Sequence, residues 1–173
     1  MKVLVEGRPG SGKTTVAARL AVLLGERGVD VWGFVTHELR EQGRRVGFAV
    51  EILGGERGTL AHLDFAGPPR VGRYGVDLAT FERLALPALA SLSRNGVVLM
   101  DELGKMELAS GRFRETVAGL FDAQVDLVAT AHVFRHPFTD RLKQRPDVER
   151  VRVTHDSRDE LPERLADELS CGR

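Results

Sequence analysis

The chain holds one cysteine, one tryptophan and one tyrosine in 173 residues, and its 25 lysines and arginines balance 25 aspartates and glutamates. Each shortage removes a class of protein. The single thiol, Cys171, can build neither an internal disulfide framework nor a cysteine-based metal cluster, so a cytoplasmic location is expected. Zero net charge supplies no global basic field, so nucleic acid is not expected as a partner. Apolar runs are short as well. Val3-Leu4-Val5 ends at Glu6, too brief for a signal peptide, and no segment approaches the ~20 apolar residues that span a bilayer. Internal repeats and Pro/Gly/Ser linkers are also lacking. Residues 1–173 are therefore expected to form one domain, long enough to bury roughly 70% of its unfolded surface.

What is present alternates between strands and helices. Lys2 to Glu6 reads as a buried strand. A glycine-rich turn follows, then a helix with Val16, Leu20, Leu23 and Leu24 at helical spacing. Val29 to Thr36 is β-rich and completes a βαβ unit, the signature of a mostly parallel sheet. Val46, Phe48, Val50 and Ile52 alternate with polar positions, which predicts an antiparallel strand or hairpin. The Gly/Pro-rich segment that follows predicts a loop with short strands. Leu78, Phe81, Leu84, Leu89 and Leu92 predict a helix capped by Asp77, with Pro87 as a kink. Strands at 97–101, 125–130 and 148–153 alternate with helices near 109–122 and 135–145. Ser157 and Glu160 spell a capping box for a last helix that packs Leu161, Leu165 and Leu169. The fold class is α/β, a three-layer domain with about five parallel strands.

Gly7-Arg8-Pro9-Gly10-Ser11-Gly12-Lys13-Thr14 matches G-x-x-x-x-G-K-[ST], with a strand before it and an amphipathic helix after it. Such a loop turns backbone N–H groups toward phosphate oxygens. Lys13 would reach the β and γ phosphates, and the Thr14 hydroxyl would ligate Mg²⁺. Thr15 either touches the α phosphate or packs, and Arg8 faces either phosphate or water.

Leu99-Met100-Asp101-Glu102-Leu103-Gly104-Lys105-Met106-Glu107 crowds three acids and a lysine at the end of an apolar strand. The strand is expected beside the first one, with Asp101 at its carboxyl end, where open α/β sheets bind ligands. Asp101 is assigned to the Mg²⁺ shell and Glu102 to orienting or deprotonating the attacking water. Lys105 either neutralises charge on the transferring phosphoryl group or is solvated. Glu107 supports Lys105, acts as an alternative base, or caps the next helix.

Other residues carry weaker signals. Arg40, Arg44, Arg45, Arg57, Arg70 and Arg73 fall in the irregular region, and one could approach the γ phosphate; Arg44 and Arg45 must face opposite sides of a strand. Thr130 is either a γ-phosphate sensor or an ordinary strand residue. His132, His136 and His155 make no convincing metal set and read as surface histidines. The basic segment 135–152 is either an arginine-bearing lid or a helix packing Phe138 and Leu142 inward, and the latter is preferred.

Together with Gly7 to Thr15, the run Asp101 to Leu108 resembles the small P-loop nucleoside-triphosphatase family, called THEP in microbes and cancer-related nucleoside-triphosphatase in animals. The stretches 33–40, 43–48, 71–77 and 81–87 match its pattern in order. The resemblance implies a RecA-like domain that hydrolyses ATP, GTP and other nucleoside triphosphates with Mg²⁺ and little base selectivity. It also implies nucleotide contacts from Gly7 to Thr14 and from Met100 to Glu107. Nothing in the sequence demands an oligomer, so a monomer is expected. Two other readings remain beside hydrolysis: a small-molecule or nucleotide kinase using the same phosphate loop, and a nucleotide-controlled binding module.

Overall fold

A computed structural model describes residues 1–90 and 96–171. Its elements run β1 (Lys2–Gly7), α1 (Lys13–Glu26), β2 (Asp30–Glu41), β3 (Arg44–Ile52), β4 (Arg57–His62), β5 (Arg70–Val71), β6 (Tyr74–Val76) and α2 (Leu78–Ala90). They continue with β7 (Gly96–Leu103), a 3-10 turn at Glu107–Ala109, α3 (Gly111–Asp122), β8 (Asp126–His132), α4 (Pro137–Lys143), β9 (Glu149–Arg152) and α5 (Leu161–Ser170). Leu92, expected in the helix α2, lies outside the described residues.

One sheet joins all these strands in the order β5-β6-β4-β3-β2-β7-β8-β1-β9. The five strands β2, β7, β8, β1 and β9 pair in parallel, as expected. The antiparallel strands β3, β4, β6 and β5 extend one edge. Strand periodicity sorts the core into two layers. Val3, Val5, Val97, Leu99 and Val128 face α1 and α5, where Val16, Leu20, Leu165 and Leu169 cover them. Leu4, Val98, Met100, Leu127 and Ala129 face the opposite way and pack with Phe81, Phe113 and Phe138 from α2, α3 and α4. The helices therefore cover both sheet faces, which is the predicted three-layer arrangement.

Three expectations need correction. The acidic strand β7 does not lie beside β1, because β8 intervenes and pairs with both. A parallel strand buried on both faces reads as a uniform apolar run and carries no pattern that names its neighbour. Second, β2 runs to Glu41 instead of Thr36. Asp30–Phe34 pairs with β7, and beyond Phe34 the strand changes partner to β3. Gln42 and Gly43, with φ of 48° and 79°, make the reversal, as a tight hairpin requires. Third, the capping box does not form. Ser157 Oγ accepts from Thr154 N at 3.0 Å and its own N–H donates to Thr154 Oγ1 at 3.2 Å, so α5 begins at Leu161 without a side-chain cap. Leu161, Leu165 and Leu169 are buried as expected.

Candidate active site

The carboxyl ends of β1, β7 and β8, with Thr36 to Glu38 in the middle of β2, converge on one cavity of about 690 Å³. At the first of these, the chain leaves β1 at Gly7 and enters α1 at Lys13. Gly12 sits at the junction with φ 96°, a left-handed conformation that a Cβ disfavours. No side chain caps this helix start, so its first N–H groups are available to an anion. Lys13 is buried, and its Nζ donates to the Arg8 carbonyl at 3.2 Å, folding the side chain back over the loop. Ser11 Oγ is buried without a hydrogen-bond partner. Pro9, Gly10, Gly12, Lys13, Thr14 and Thr15 line the cavity. Arg8 is exposed and outside that lining.

Regular pairing between β7 and β8 lapses between Met100 and Leu103, at the two acids. Asp101 is fully buried. Thr130 donates to its Oδ1 at 2.6 Å, the Thr36 N–H and hydroxyl donate to Oδ2 at 3.4 and 3.3 Å, and Thr14 is a further hydrogen-bond partner. Burial drives its pKa up, while the hydrogen bonds from Thr130 and Thr14 oppose the shift. Thr14 and Asp101 thus pair a hydroxyl with a carboxylate, hard oxygen donors of the type that Mg²⁺ takes. Among the described residues no group of three or more His, Cys, Asp and Glu is arranged as a metal cage, so a cation here would draw its other ligands from phosphate or water.

Glu102 reaches into the cavity. Its Oε2 lies 3.5 Å from Lys13 Nζ and its Oε1 lies 2.8 Å from His132 Nε2. Burial raises its pKa, but the His132 and Lys13 contacts outweigh burial and hold the carboxylate below its ordinary range. Glu107 has the opposite fate. It is buried as the first residue of the 3-10 turn, and burial together with the charges of Glu102 and Asp101 pushes its pKa up to about 8. Gly104 lies between the two side chains. A Cβ there would meet Glu107 Oε2 at 2.7 Å and Glu102 Oε1 at 2.9 Å, so both glutamate side chains would have to shift to admit one.

A phosphate loop, a buried acid behind its threonine and an ionised glutamate at the lysine make the constellation of a nucleotide-processing P-loop protein. The family model for NTPase matches residues 2–166 of the chain. This chain belongs to the NTPase family. It is 42% identical over 162 residues to nucleoside-triphosphatase THEP1 of Thermotoga petrophila, covering 93% of this chain and 88% of that one. It is 43% identical to the THEP1 of Thermofilum pendens over 172 residues, covering 96% and 94%. The crystal structure of THEP1 from Aquifex aeolicus superposes with a TM-score of 0.89 at 33% identity, covering 98% of this chain and 99% of that one. The solution structure of a human cancer-related nucleoside triphosphatase gives 0.86 at 35% identity, covering 99% and 98%.

Within this member of the NTPase family, the remaining candidates sort clearly. Glu102, Leu103, Gly104, Lys105, Met106 and Glu107 line the cavity, with Lys105 exposed. Met100 does not: strand alternation turns it into the core, where it is fully buried. Thr130 spends its hydroxyl on Asp101 and does not line the cavity. Of the six arginines in the irregular region, Arg45 lines the wall, paired with Glu38 and set over the Phe48 ring at 5.4 Å. Arg73 is held away by the Arg45 carbonyl at 3.3 Å and the Tyr74 hydroxyl at 3.1 Å. The basic segment packs Phe138 and Leu142 inward as preferred. Its Lys143 and Arg150 converge on the buried Glu6, at 3.3 and 2.6 Å.

Among the wall residues missed from sequence are Thr36, His132 and His136. Thr36 lies within β2, two residues past Phe34, where pairing with β7 ends. His132, read as a surface histidine, is the last residue of β8, in register with Gly7. The available signal was its place two residues beyond Thr130, on the same carboxyl edge as the acids.

Proposed function

We propose that the protein hydrolyses nucleoside triphosphates to the diphosphate and phosphate in a Mg²⁺-dependent reaction that tolerates different bases. The observation that carries this reading is the Glu102 carboxylate, held ionised at the cavity floor within 3.5 Å of the phosphate-loop lysine. The loop N–H groups and Lys13 bind the β and γ phosphates. Thr14 and Asp101 would hold the metal, which would neutralise charge on the phosphate oxygens. A water on the far side of the γ phosphate gives its proton to Glu102 Oε2. Its oxygen forms a bond to phosphorus, and the bridging P–O bond breaks with its electron pair left on the β phosphate. Lys105, exposed on the same wall, is proposed to offset developing negative charge. The relatives are named for nucleoside triphosphates, which supports a triphosphate substrate. The chain is proposed to work as a single cytoplasmic domain and a monomer.

Phosphate release from ATP, GTP, CTP and UTP tests the proposal. Wild type should turn over all four. Glu102→Gln should lose about 10²- to 10⁴-fold in kcat while still binding nucleotide, and Lys13→Ala should lose binding as well. Full turnover by Glu102→Gln would sink the assignment. A phosphorylated acceptor appearing faster than free phosphate would replace hydrolysis with group transfer.

A further inference from the structure

The two oxygens of Glu102 have different partners. Oε2 faces Lys13 at 3.5 Å and Oε1 faces His132 at 2.8 Å. Lysine at this loop position is drawn to the β and γ phosphates of a bound nucleotide. Once Lys13 is so engaged, Oε2 is released toward the γ phosphate, whereas nothing about phosphate binding competes for Oε1. A carboxylate on a flexible side chain loses catalytic geometry quickly when it is held from neither end, since displacements of about 1 Å cost roughly 10² in rate.

His132 is built to hold that second oxygen. Its backbone is fixed as the terminal residue of β8, paired in register with Gly7, and Lys143 Nζ donates to its carbonyl at 2.9 Å. Lys143 is itself anchored by the buried Glu6 beneath the phosphate loop. The imidazole stacks on Phe134, with centroids 6.0 Å apart and planes at 28°. Its Nδ1 is buried and has no hydrogen-bond partner, so Glu102 is the polar contact that sets the ring's orientation. A structural histidine pays for burial by satisfying both nitrogens; this one leaves Nδ1 unsatisfied and spends Nε2 on the glutamate.

We infer that His132 is a positioning residue for Glu102: its Nε2–H donates to Oε1 and keeps Oε2 aimed at the attacking water after Lys13 turns to phosphate. The inference rests on Glu102 being the base. It adds a second support for that base, delivered from β8 and tied through Lys143 and Glu6 to the strand that carries the phosphate loop.

The test compares His132→Phe, His132→Gln and Glu102→Gln with wild type, using ATP turnover and binding of a fluorescent ATP analogue. Phenylalanine keeps the ring and its stack on Phe134 but removes the donor; glutamine keeps a donor without the ring. Loss of a hydrogen bond to a charged group predicts roughly a tenfold to hundredfold fall in kcat for His132→Phe, with KM and analogue binding unchanged. His132→Gln should recover most of that loss. Adding His132→Phe to Glu102→Gln should lower kcat no further. Wild-type kcat in His132→Phe overturns the inference, as does an equal loss in both variants accompanied by weaker analogue binding, which marks a packing role. A multiplicative loss in the double variant also overturns it. Full activity in Glu102→Gln removes the base assignment itself and this inference with it. An inactive Glu102→Gln beside a normal His132→Phe removes this inference alone.

Discussion

Glu107 offers the sharpest test of the electrostatics at the end of β7. Its carboxyl is raised from an ordinary 4.5 to about 8 by burial, reinforced by Glu102 and Asp101. In the folded protein it therefore keeps its proton up to about pH 8, whereas in the unfolded chain it ionises near 4.5. Below 4.5 both states are protonated and the native state keeps its full stability. As pH rises from there toward 8 the unfolded state alone releases a proton, and stability falls steadily; above 8 the loss is complete. A shift of 3.5 pH units, 8 minus 4.5, at 1.36 kcal/mol per unit amounts to about 5 kcal/mol. Glu107→Gln preserves the shape and the acceptor oxygen but cannot ionise, so this decline should vanish. Urea unfolding of both proteins, followed by circular dichroism at about pH 5, 7 and 9, makes the comparison. Similar stability near pH 5 and a variant more stable by about 4 kcal/mol near pH 9 is the expected result. Parallel curves for the two proteins would refute the placement of Glu107 as a neutral buried acid.

Three further outcomes follow from the geometry. Gly104→Ala should displace Glu102 and Glu107, since a Cβ would come within 2.9 and 2.7 Å of their oxygens; a kcat loss of roughly 10² with nucleotide binding retained is expected from steady-state kinetics. Phe81→Ala removes a fully buried ring centred 5.6 Å from Phe34 and 5.0 Å from Phe113, and should cost about 3–5 kcal/mol in urea unfolding. Chelation of divalent cations should stop phosphate release, and added Mg²⁺ should restore it in wild type but far less in Asp101→Asn; restoration equal to wild type would remove Asp101 from the metal shell.

The parts of the fold that were legible in sequence are those written in contiguous residues. The phosphate loop needs only a strand, a turn and a helix start in series, and the glycines, lysine and threonine of 7–14 specify all three. The antiparallel strand β3 was visible in the alternation of Val46, Phe48, Val50 and Ile52, although its pairing with an extended β2 was not. The order of the parallel strands was not visible. Val97–Met100 and Leu127–Ala131 are both buried on each face, so neither carries a period that says which stands next to β1. His132 escaped for the same reason. With β8 between β7 and β1, the strand's last residue stands in register with Gly7 and reaches Glu102, a juxtaposition that placing β7 beside β1 does not give. The failed capping box is a local competition, in which the Thr154 hydroxyl and N–H claimed Ser157 before the helix could.

The crowding of acids after Leu99 has a consequence that no single residue explains. Three carboxyl groups within seven positions would repel one another strongly if all were ionised, and that repulsion would fall on Glu102, the one proposed to accept a proton as an anion. The structure separates their states by environment. Glu107 is enclosed and keeps its proton, so it adds no charge beside Glu102. Asp101 is enclosed as well but meets Thr130, Thr36 and Thr14, and a cation at Thr14 would favour its carboxylate form. Glu102, between them in sequence, turns to the cavity and meets Lys13 and His132. Neutral Glu107 thus adds no repulsion to the Glu102 carboxylate that His132 and Lys13 hold below its ordinary pKa. Above about pH 8, where Glu107 loses its proton, the new charge should raise the pKa of Glu102 and loosen its contacts. Turnover by wild type should then fall on the alkaline side with the same midpoint that governs its stability, and Glu107→Gln should move both together. If the alkaline limb of activity survives in Glu107→Gln while the stability slope disappears, the two acids are not electrostatically coupled in this way.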